Sequence, residues 1–303
     1  MRIAVCVEAD GRAAALKRLL EGLAAQRFWA RPEPEVLVIV VDVSAGGELR
    51  EAVAAAQDGF RWELEYVAER ASQEARRRGI ALALERGADR IAFLEAAAEP
   101  APHWLAELLA AQARHGADVV EGPVVPRYAD GVPAWVRRGG FFEAARRRTG
   151  AAVPLVRPYN VLVTREFLVA AGAASARPTT ERAASAGTDR APAVSPRVVW
   201  ADRAVVHSDV DPDRATARWI LKRAFRERGR ALPPHVVVLG PDALAPSATR
   251  ALVRMAEGGF LLSVAVFLGR AGVMHALCRV SRGAGELAAA LREAGVRGRK
   301  EPA

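Results

Sequence analysis

The residues best equipped for chemistry in this chain stand where short apolar runs stop. The run at 91–94 ends in Glu95, followed by three alanines, Glu99 and two spaced prolines. A run of six aliphatics at 36–41 closes on Asp42, and the first run, 3–7, closes on Glu8. Clusters of acids at such strand ends hold hard divalent cations through oxygen ligands. Here Glu95 could offer one ligand, while Ala96 and Ala97 offer none.

The first 125 residues carry the pattern of the elements that must position these ends. Apolar runs at 3–7, 36–41, 62–67, 91–94 and 118–125 read as strands. Between them 13–26, 48–56, 72–86 and 102–115 have helical spacing, with Leu16, Leu19, Leu20 and Leu23 on one side of the first. Continuous apolar strands separated by helices predict a parallel sheet covered on both faces. Such sheets bind ligands at the carboxyl ends of their strands, which puts Asp42 and Glu95 at the correct edge.

Residues 126–158, rich in arginine, glycine and aromatics, predict a surface excursion, and 159–164 another strand. Small, polar, proline-punctuated residues at 172–196 predict a loose loop. Short strands follow at 198–200 and 204–207, and beyond 213 the pattern is helical, with a break around 233–241. The expected organisation is an α/β domain over 1–212 and a helical region over 213–303.

The chain has 303 residues, enough for one large or two ordinary domains, and its 51% apolar content excludes general disorder. Its formal charge of +9 is almost all arginine, since Lys17, Lys222 and Lys300 are the only lysines. That balance suits anionic lipid, nucleic acid or phosphorylated substrates without choosing among them. Nucleic acid has only the charge in its favour, with no aromatic RNA-binding signature or helix-turn-helix, and is not an expected partner. Two distant cysteines exclude a disulfide framework and a zinc pattern, and Cys6 reads as a small buried residue. The first apolar run is too short for a signal-peptide core, so the expected location is the cytoplasm, extending to the inner face of the cytoplasmic membrane.

Seven stretches occur in a recognisable order: VLVIVVD ending at Asp42, GADRIAFLE (87–95), EPAPHWLAELLAA (99–111), GADVVEGPVVPRY (116–128), NVLVTREFL (160–168), RVVWADRAVVH (197–207) and ATARWILKRAFRERG (215–229). Together they resemble family-2 glycosyltransferases of the GT-A fold, particularly bacterial members that build surface polysaccharides. The resemblance spans roughly residues 1–230. It implies transfer of a sugar from a nucleotide diphosphate to an acceptor hydroxyl, with a divalent cation offsetting charge on the departing nucleotide. It also implies nucleotide contacts for Asp42, Arg76 and Glu8.

The departures from the family pattern fall on the site. Its aspartate cluster reads Glu95, Ala96, Ala97 here, and its acidic pair before Thr-Asp reads Ala186 and Gly187 before Thr188 and Asp189. A histidine position is taken by Asp209, with His207 two residues earlier. The turn that cradles the base reads Glu8, Ala9, Asp10, Gly11, and Ala-Arg-Asn reads Ala75, Arg76, Arg77. Glu95, Asp189 and Asp209 are therefore the remaining catalytic candidates. The reading is a pseudoenzyme of a surface-polysaccharide or glycolipid pathway, with a residual nucleotide or anion pocket and no cofactor. One alternative is an active, divergent transferase that uses Mg²⁺ or Mn²⁺, or lets Arg76 or Arg190 replace the cation. Another is a membrane-associated scaffold.

Arg214, Arg218, Lys222, Arg226 and Arg230 recur every four residues, which predicts one basic helical stripe opposite Ile220, Leu221, Ala224 and Phe225. Such a helix suits either an anionic membrane surface or an ordinary solvated face. Residues 258–269 lack charge but fall short of the ~20 needed to span a bilayer. Helices at 273–280 and 286–293 follow, to lie in a membrane interface or pack on the domain or a partner chain. GAGELA at 283–288 fits G-x-G-x-x-A without the preceding strand that dinucleotide binding needs. The expected partners are thus a nucleotide-diphosphate sugar, an anionic membrane surface and a protein met through the C-terminal helices.

Overall fold

From Val36 onward every side chain of β2 (Glu35–Asp42) is buried, so this strand needs a cover on both faces. The computed structural model, which describes residues 1–29, 32–44, 47–69, 72–143, 146–153, 159–171, 196–226, 244–265 and 269–298, supplies both covers. On one face Val36, Val38 and Val40 join Ile3, Val5 and Val7 of β1 (Arg2–Ala9) in a core with the leucines of α1 (Ala13–Ala24). Trp104, Leu105 and Leu108 of α4 (Trp104–His115) complete that layer. On the other face Ala4, Cys6, Leu37, Ile39 and Val41 meet Ala75, Ile80 and Ala83 of α3 (Ser72–Glu85) and Phe167 of α6 (Arg165–Ala170). Alternate residues thus serve opposite cores, as a period of two requires.

The sheet has seven strands in the order β3-β2-β1-β4-β8-β6-β9. β3 (Glu63–Ala68), β2, β1 and β4 (Arg90–Glu95) run parallel, as predicted. β8 (Val161–Thr164) is antiparallel to both β4 and β6 (Val119–Glu121), while β6 and β9 (Val198–Trp200) are parallel. The sheet is therefore mixed. The strand expected over 118–125 is broken, with β6 ending at Glu121 and β7 (Val124–Tyr128) starting beyond Gly122 and Pro123. A Cβ on Gly122 would collide with the Ala204 carbonyl and lie 2.7 Å from Asn160 Nδ2, so the backbone passes there only as glycine. At the β9 edge Arg146 forks onto Asp202 (Nε–Oδ1 2.7 Å, Nη2–Oδ2 2.9 Å) near the point where Ala152 bridges Val199 of β9.

Among the described residues, 1–125 and 144–208 form one compact unit, and 126–143, 209–226 and 244–298 form a second. β7 and β10 (Val206–Val210) carry the chain from the first to the second. In the first unit β5 (Ala98–Pro100) pairs antiparallel with the start of β10, His207 opposite Glu99 and Ser208 opposite Ala98. The second unit closes on Val132, Val136, Phe142, Ile220, Met274 and Cys278, contributed by α5 (Ala134–Gly139), the segments on either side of it, α7 (Ala217–Arg226) and α9 (Gly269–Gly298).

Two helical expectations are corrected in the second unit. The basic stripe does not lie on one helix from Arg214 on: Asp211 and Pro212 fold a turn, Thr216 Oγ1 accepts the Trp219 N–H, and α7 begins at Ala217. Arg218 and Lys222 are exposed on α7, Arg226 closes it, and Arg230 lies outside the described residues. Ile220 and Ala224 are buried as expected, whereas Phe225 is 40% exposed. The separate helices expected at 273–280 and 286–293 are one helix, α9, packed on α8 (Leu244–Ala265). Added Cβ atoms at Gly283 and Gly285 would strike Met255 and the Phe225 carbonyl, so the glycines admit neighbouring backbones instead of breaking the helix.

Among the described residues no helix is long and apolar enough to cross a membrane. Residues 172–195 of the loop expected over 172–196, and the break around 233–241, lie outside the described residues.

Candidate functional site

The carboxyl ends of β1, β2 and β4 bring four of the sequence-predicted residues to one edge of the first unit. Glu8 is in register with Val41 on one side and Glu95 on the other, and Ala9 with Asp42. Arg76 reaches this edge from α3.

Asp42 is fully buried and engaged. Its Oδ1 accepts both the Ser44 N–H (2.7 Å) and the Ser44 hydroxyl (2.6 Å), a local turn that short acidic side chains favour. Its Oδ2 accepts the Tyr66 phenol at 2.7 Å. Burial and that bond push the Tyr66 phenol above its ordinary range, and Arg50 stands 5.2 Å from the same ring. The carboxylate fastens the end of β2 to β3.

The Arg76 guanidinium lies against two rings, 5.3 Å from the centroid of Phe93 and 5.2 Å from that of Tyr159. Glu8 Oε2 stands 4.0 Å from its Nη2, and the two side chains are 9% and 16% exposed. The Tyr159 phenol bonds the Glu8 carboxylate, and burial together with that negative charge pushes its titration upward. Cys6, Glu8, Val41, Arg76, Phe93 and Tyr159 line a crevice of about 10 Å³, the room of a single water. Burial pushes the Cys6 thiol up to about 12.

At the end of β4 the alanines are not equivalent. Ala96 donates its N–H to the Glu8 carbonyl (2.9 Å) and is 2% exposed, and Ala98 is also in the core. Ala97, half-buried, is the one alanine of the Ala96–Ala97 turn outside that core. Glu95 Oε1 meets the Ser208 hydroxyl at 3.5 Å. Calcium takes six to eight oxygen ligands and magnesium six, of which several come from protein or substrate. Among the described residues no group of three or more His, Cys, Asp or Glu side chains could hold a metal ion.

Asp209 belongs to the second unit and pairs with Arg127 at 3.2 Å, and Asp189 lies outside the described residues. Sequence reasoning missed Tyr159, Tyr66 and Asn160. Asn160 is fully buried with φ of 56°, and its Oδ1 accepts the Trp104 indole N–H at 2.7 Å. Its Nδ2 donates to the carbonyls of Pro123 (2.8 Å) and Ala204 (2.9 Å), and its backbone N–H to that of Phe93 (2.9 Å). An asparagine just ahead of an aliphatic run is a signal for a left-handed turn residue. Its neighbour's role had no local signal.

Residues 4–169, more than half of the chain, match the sequence profile of Glycosyl transferase family 2. The chain belongs to that family. It is 30% identical over 149 residues to the Succinoglycan biosynthesis protein ExoM of Rhizobium meliloti (strain 1021), an alignment covering 46% of this chain and 45% of that protein. The match thus spans less than half the length of this relative. Among solved structures, the mannosyltransferase PcManGT from Pyrobaculum calidifontis, in complex with GDP-Man and Mn²⁺, aligns with a TM-score of 0.52 at 20% identity, covering 99% of this chain and 88% of that one. S. aureus TarS 1–349 in complex with UDP aligns with a TM-score of 0.46 at 14% identity, covering 97% and 92%. The likeness to PcManGT is one of fold, and the fold is the GT-A-like α/β arrangement the sequence predicted. At its sheet edge this family-2 chain presents an internally neutralised cluster, Glu8–Arg76–Tyr159, beside a single acid, Glu95.

Proposed function

We propose that this family-2 chain serves a cell-surface polysaccharide or glycolipid pathway as a pseudoenzyme, a glycosyltransferase scaffold with a residual nucleotide or anion pocket and without metal-assisted transfer. The observation that carries the reading is the end of β4. Its acid positions read Glu95, Ala96 and Ala97, and Ala96 is packed into the core. That leaves Glu95 as the one carboxylate of the motif for a cation that offsets charge on a leaving diphosphate, whose other ligands would have to be phosphate and water. The kinship with ExoM supports the pathway, and the GDP-Man of PcManGT supports the ligand class, a nucleoside-diphosphate sugar.

Calorimetry with UDP and GDP, with and without Mn²⁺, tests this together with an assay for sugar-donor hydrolysis. The expected result is weak binding indifferent to Mn²⁺ and no hydrolysis, with Mn²⁺ dependence gained in the Glu95→Asp/Ala97→Asp double variant. Mn²⁺-dependent binding and donor hydrolysis by the wild-type protein would overturn it. The position of Arg76 at the sheet edge favours one competing reading, transfer without a metal, in which the guanidinium stabilises the leaving diphosphate. Hydrolysis that survives chelation and is lost in Arg76→Ala would select that reading.

Peripheral contact with an anionic membrane surface is part of the proposal. It is supported by exposed Arg218 and Lys222 on α7 and by exposed Leu252, Val253 and Phe260 on α8. Sedimentation with phosphatidylglycerol vesicles should fall in Arg218→Glu/Lys222→Glu and in 0.5 M salt, about where the Debye length has shrunk below 5 Å. Indifference to both removes this part.

A further inference from the structure

The crevice at the sheet edge is closed by its own residues. Its room is that of one water, so a nucleoside cannot enter until a wall moves. Most of the wall is fixed: Cys6, Val7, Val41, Phe93 and Leu94 are core residues of β1, β2 and β4. Tyr159 is different. It precedes β8, and the residue that follows it, Asn160, is clamped by backbone and amide hydrogen bonds to Phe93, Trp104, Pro123 and Ala204. Its side chain is only partly buried, so it is an aromatic part of the wall that the core does not enclose.

What Tyr159 and Glu8 do to Arg76 resembles what a ligand would do. The guanidinium has an aromatic ring on one face, provided by Tyr159, and a carboxylate at its edge, provided by Glu8. Phe93 is a second ring at 5.3 Å. An arginine recognises a nucleotide with the same two interactions, stacking on a π-face and pairing with an anionic group. We propose that Tyr159 is the built-in occupant of the crevice: its ring and the Glu8 carboxylate hold the places on Arg76 of an aromatic base and a phosphate, and a nucleoside diphosphate binds only when Tyr159 leaves. The ligand class rests on the nucleotide pocket proposed above, whereas the occupancy by Tyr159 rests on the geometry alone. A binding site closed by an internal occupant shows an affinity lowered by the fraction of time it is closed.

Cys6 gives a direct readout, because it lines the same crevice and is 6% exposed. Its alkylation by N-ethylmaleimide at pH 8, followed at the Cys6 peptide by mass spectrometry, reports opening without any ligand. In Tyr159→Ala the labelling rate should rise about tenfold, and UDP should bind about tenfold more tightly by calorimetry and protect Cys6, as expected when a mostly closed state no longer competes. Tyr159→Phe, which keeps the ring and loses the bond to Glu8, should shift both readouts in the same direction by less. Inorganic pyrophosphate should bind the Ala variant more weakly than UDP does.

The proposal is overturned if folded Tyr159→Ala labels at the wild-type rate, or if it opens but neither binds UDP more tightly nor lets UDP protect Cys6. Pyrophosphate binding as well as UDP would overturn the assignment of the ring to a base. Should the Ala variant fail to fold, Tyr159→Phe decides, since unchanged labelling and binding there contradict the role of the Glu8 bond. Failure of the pseudoenzyme reading looks different: Mn²⁺-dependent donor hydrolysis by the wild-type protein overturns that reading and leaves the Tyr159 result standing.

Discussion

Asn160 works through a backbone angle and an amide at once, and substitution separates the two. Asn160→Ala leaves the Trp104 indole N–H and the Ala204 carbonyl without this partner, while the Pro123 carbonyl keeps the Val206 N–H, and it makes alanine hold φ of 56°. Buried polar groups left unpaired cost about 1–3 kcal/mol each, so urea denaturation should show a loss of about 3 kcal/mol or more. Asn160→Gly removes the amide but keeps the angle accessible and should lose less by about 1 kcal/mol, the strain of a left-handed non-glycine residue. Asp202 makes a prediction in pH. The Arg146 guanidinium forked onto it holds its carboxyl below the ordinary carboxylate range. A depressed folded value contributes stability that is present above the unfolded value, about 4, and is lost as pH falls through the folded one. Thermal melts of wild type and Asp202→Asn should therefore differ at pH 6 and converge as the pH falls below the ordinary carboxylate range. A constant gap across that range would assign the difference to packing instead.

At the scale of elements, the turn from β4 to β5 separates what the fold tolerates from what chemistry would require. Ala97→Asp places a carboxylate at a half-buried turn position and should cost less than about 1 kcal/mol. Ala96→Asp buries an unpaired acid in the core and should cost about 3 kcal/mol or more in the same denaturation assay. Equal costs would contradict the orientation of this turn. Much of the scaffold was legible because long aliphatic runs stop abruptly at Glu8, Asp42 and Glu95. The direction of β8 was not, since the four residues Val161–Thr164 have the same composition whichever way the strand runs. The break after β6 was hidden for a related reason: Gly122 answers to the Ala204 carbonyl, some 80 residues away in sequence, and local propensity carries no trace of it. The site was half legible. Acids at strand ends announce themselves, but the commitment of Asp42 to Tyr66, and of Arg76 to Tyr159, exists only after the chain has folded.

At the scale of the molecule, each unit has its own core, so a lesion can be confined to one of them. Gly285→Ala drives a methyl into the Phe225 carbonyl and should lower hydrogen-exchange protection in α8 and α9 while leaving β1, β2 and β4 unchanged. Gly259→Ala, with nothing within 4 Å of the added carbon, should instead stabilise α8 by about 0.5–1 kcal/mol. Loss of protection throughout the sheet in the first variant would show that the cores unfold together. The units also interleave along the chain, because residues 126–143 belong with the C-terminal helices and not with the strands on either side of them. During synthesis Val132, Val136 and Phe142 emerge long before Met274 and Cys278, the side chains that finally cover them. The wait is about 130 residues, on the order of ten seconds at ordinary elongation rates. For that interval the nascent protein carries a greasy segment it cannot yet bury, which makes this stretch the natural place for a ribosome-associated chaperone to grip.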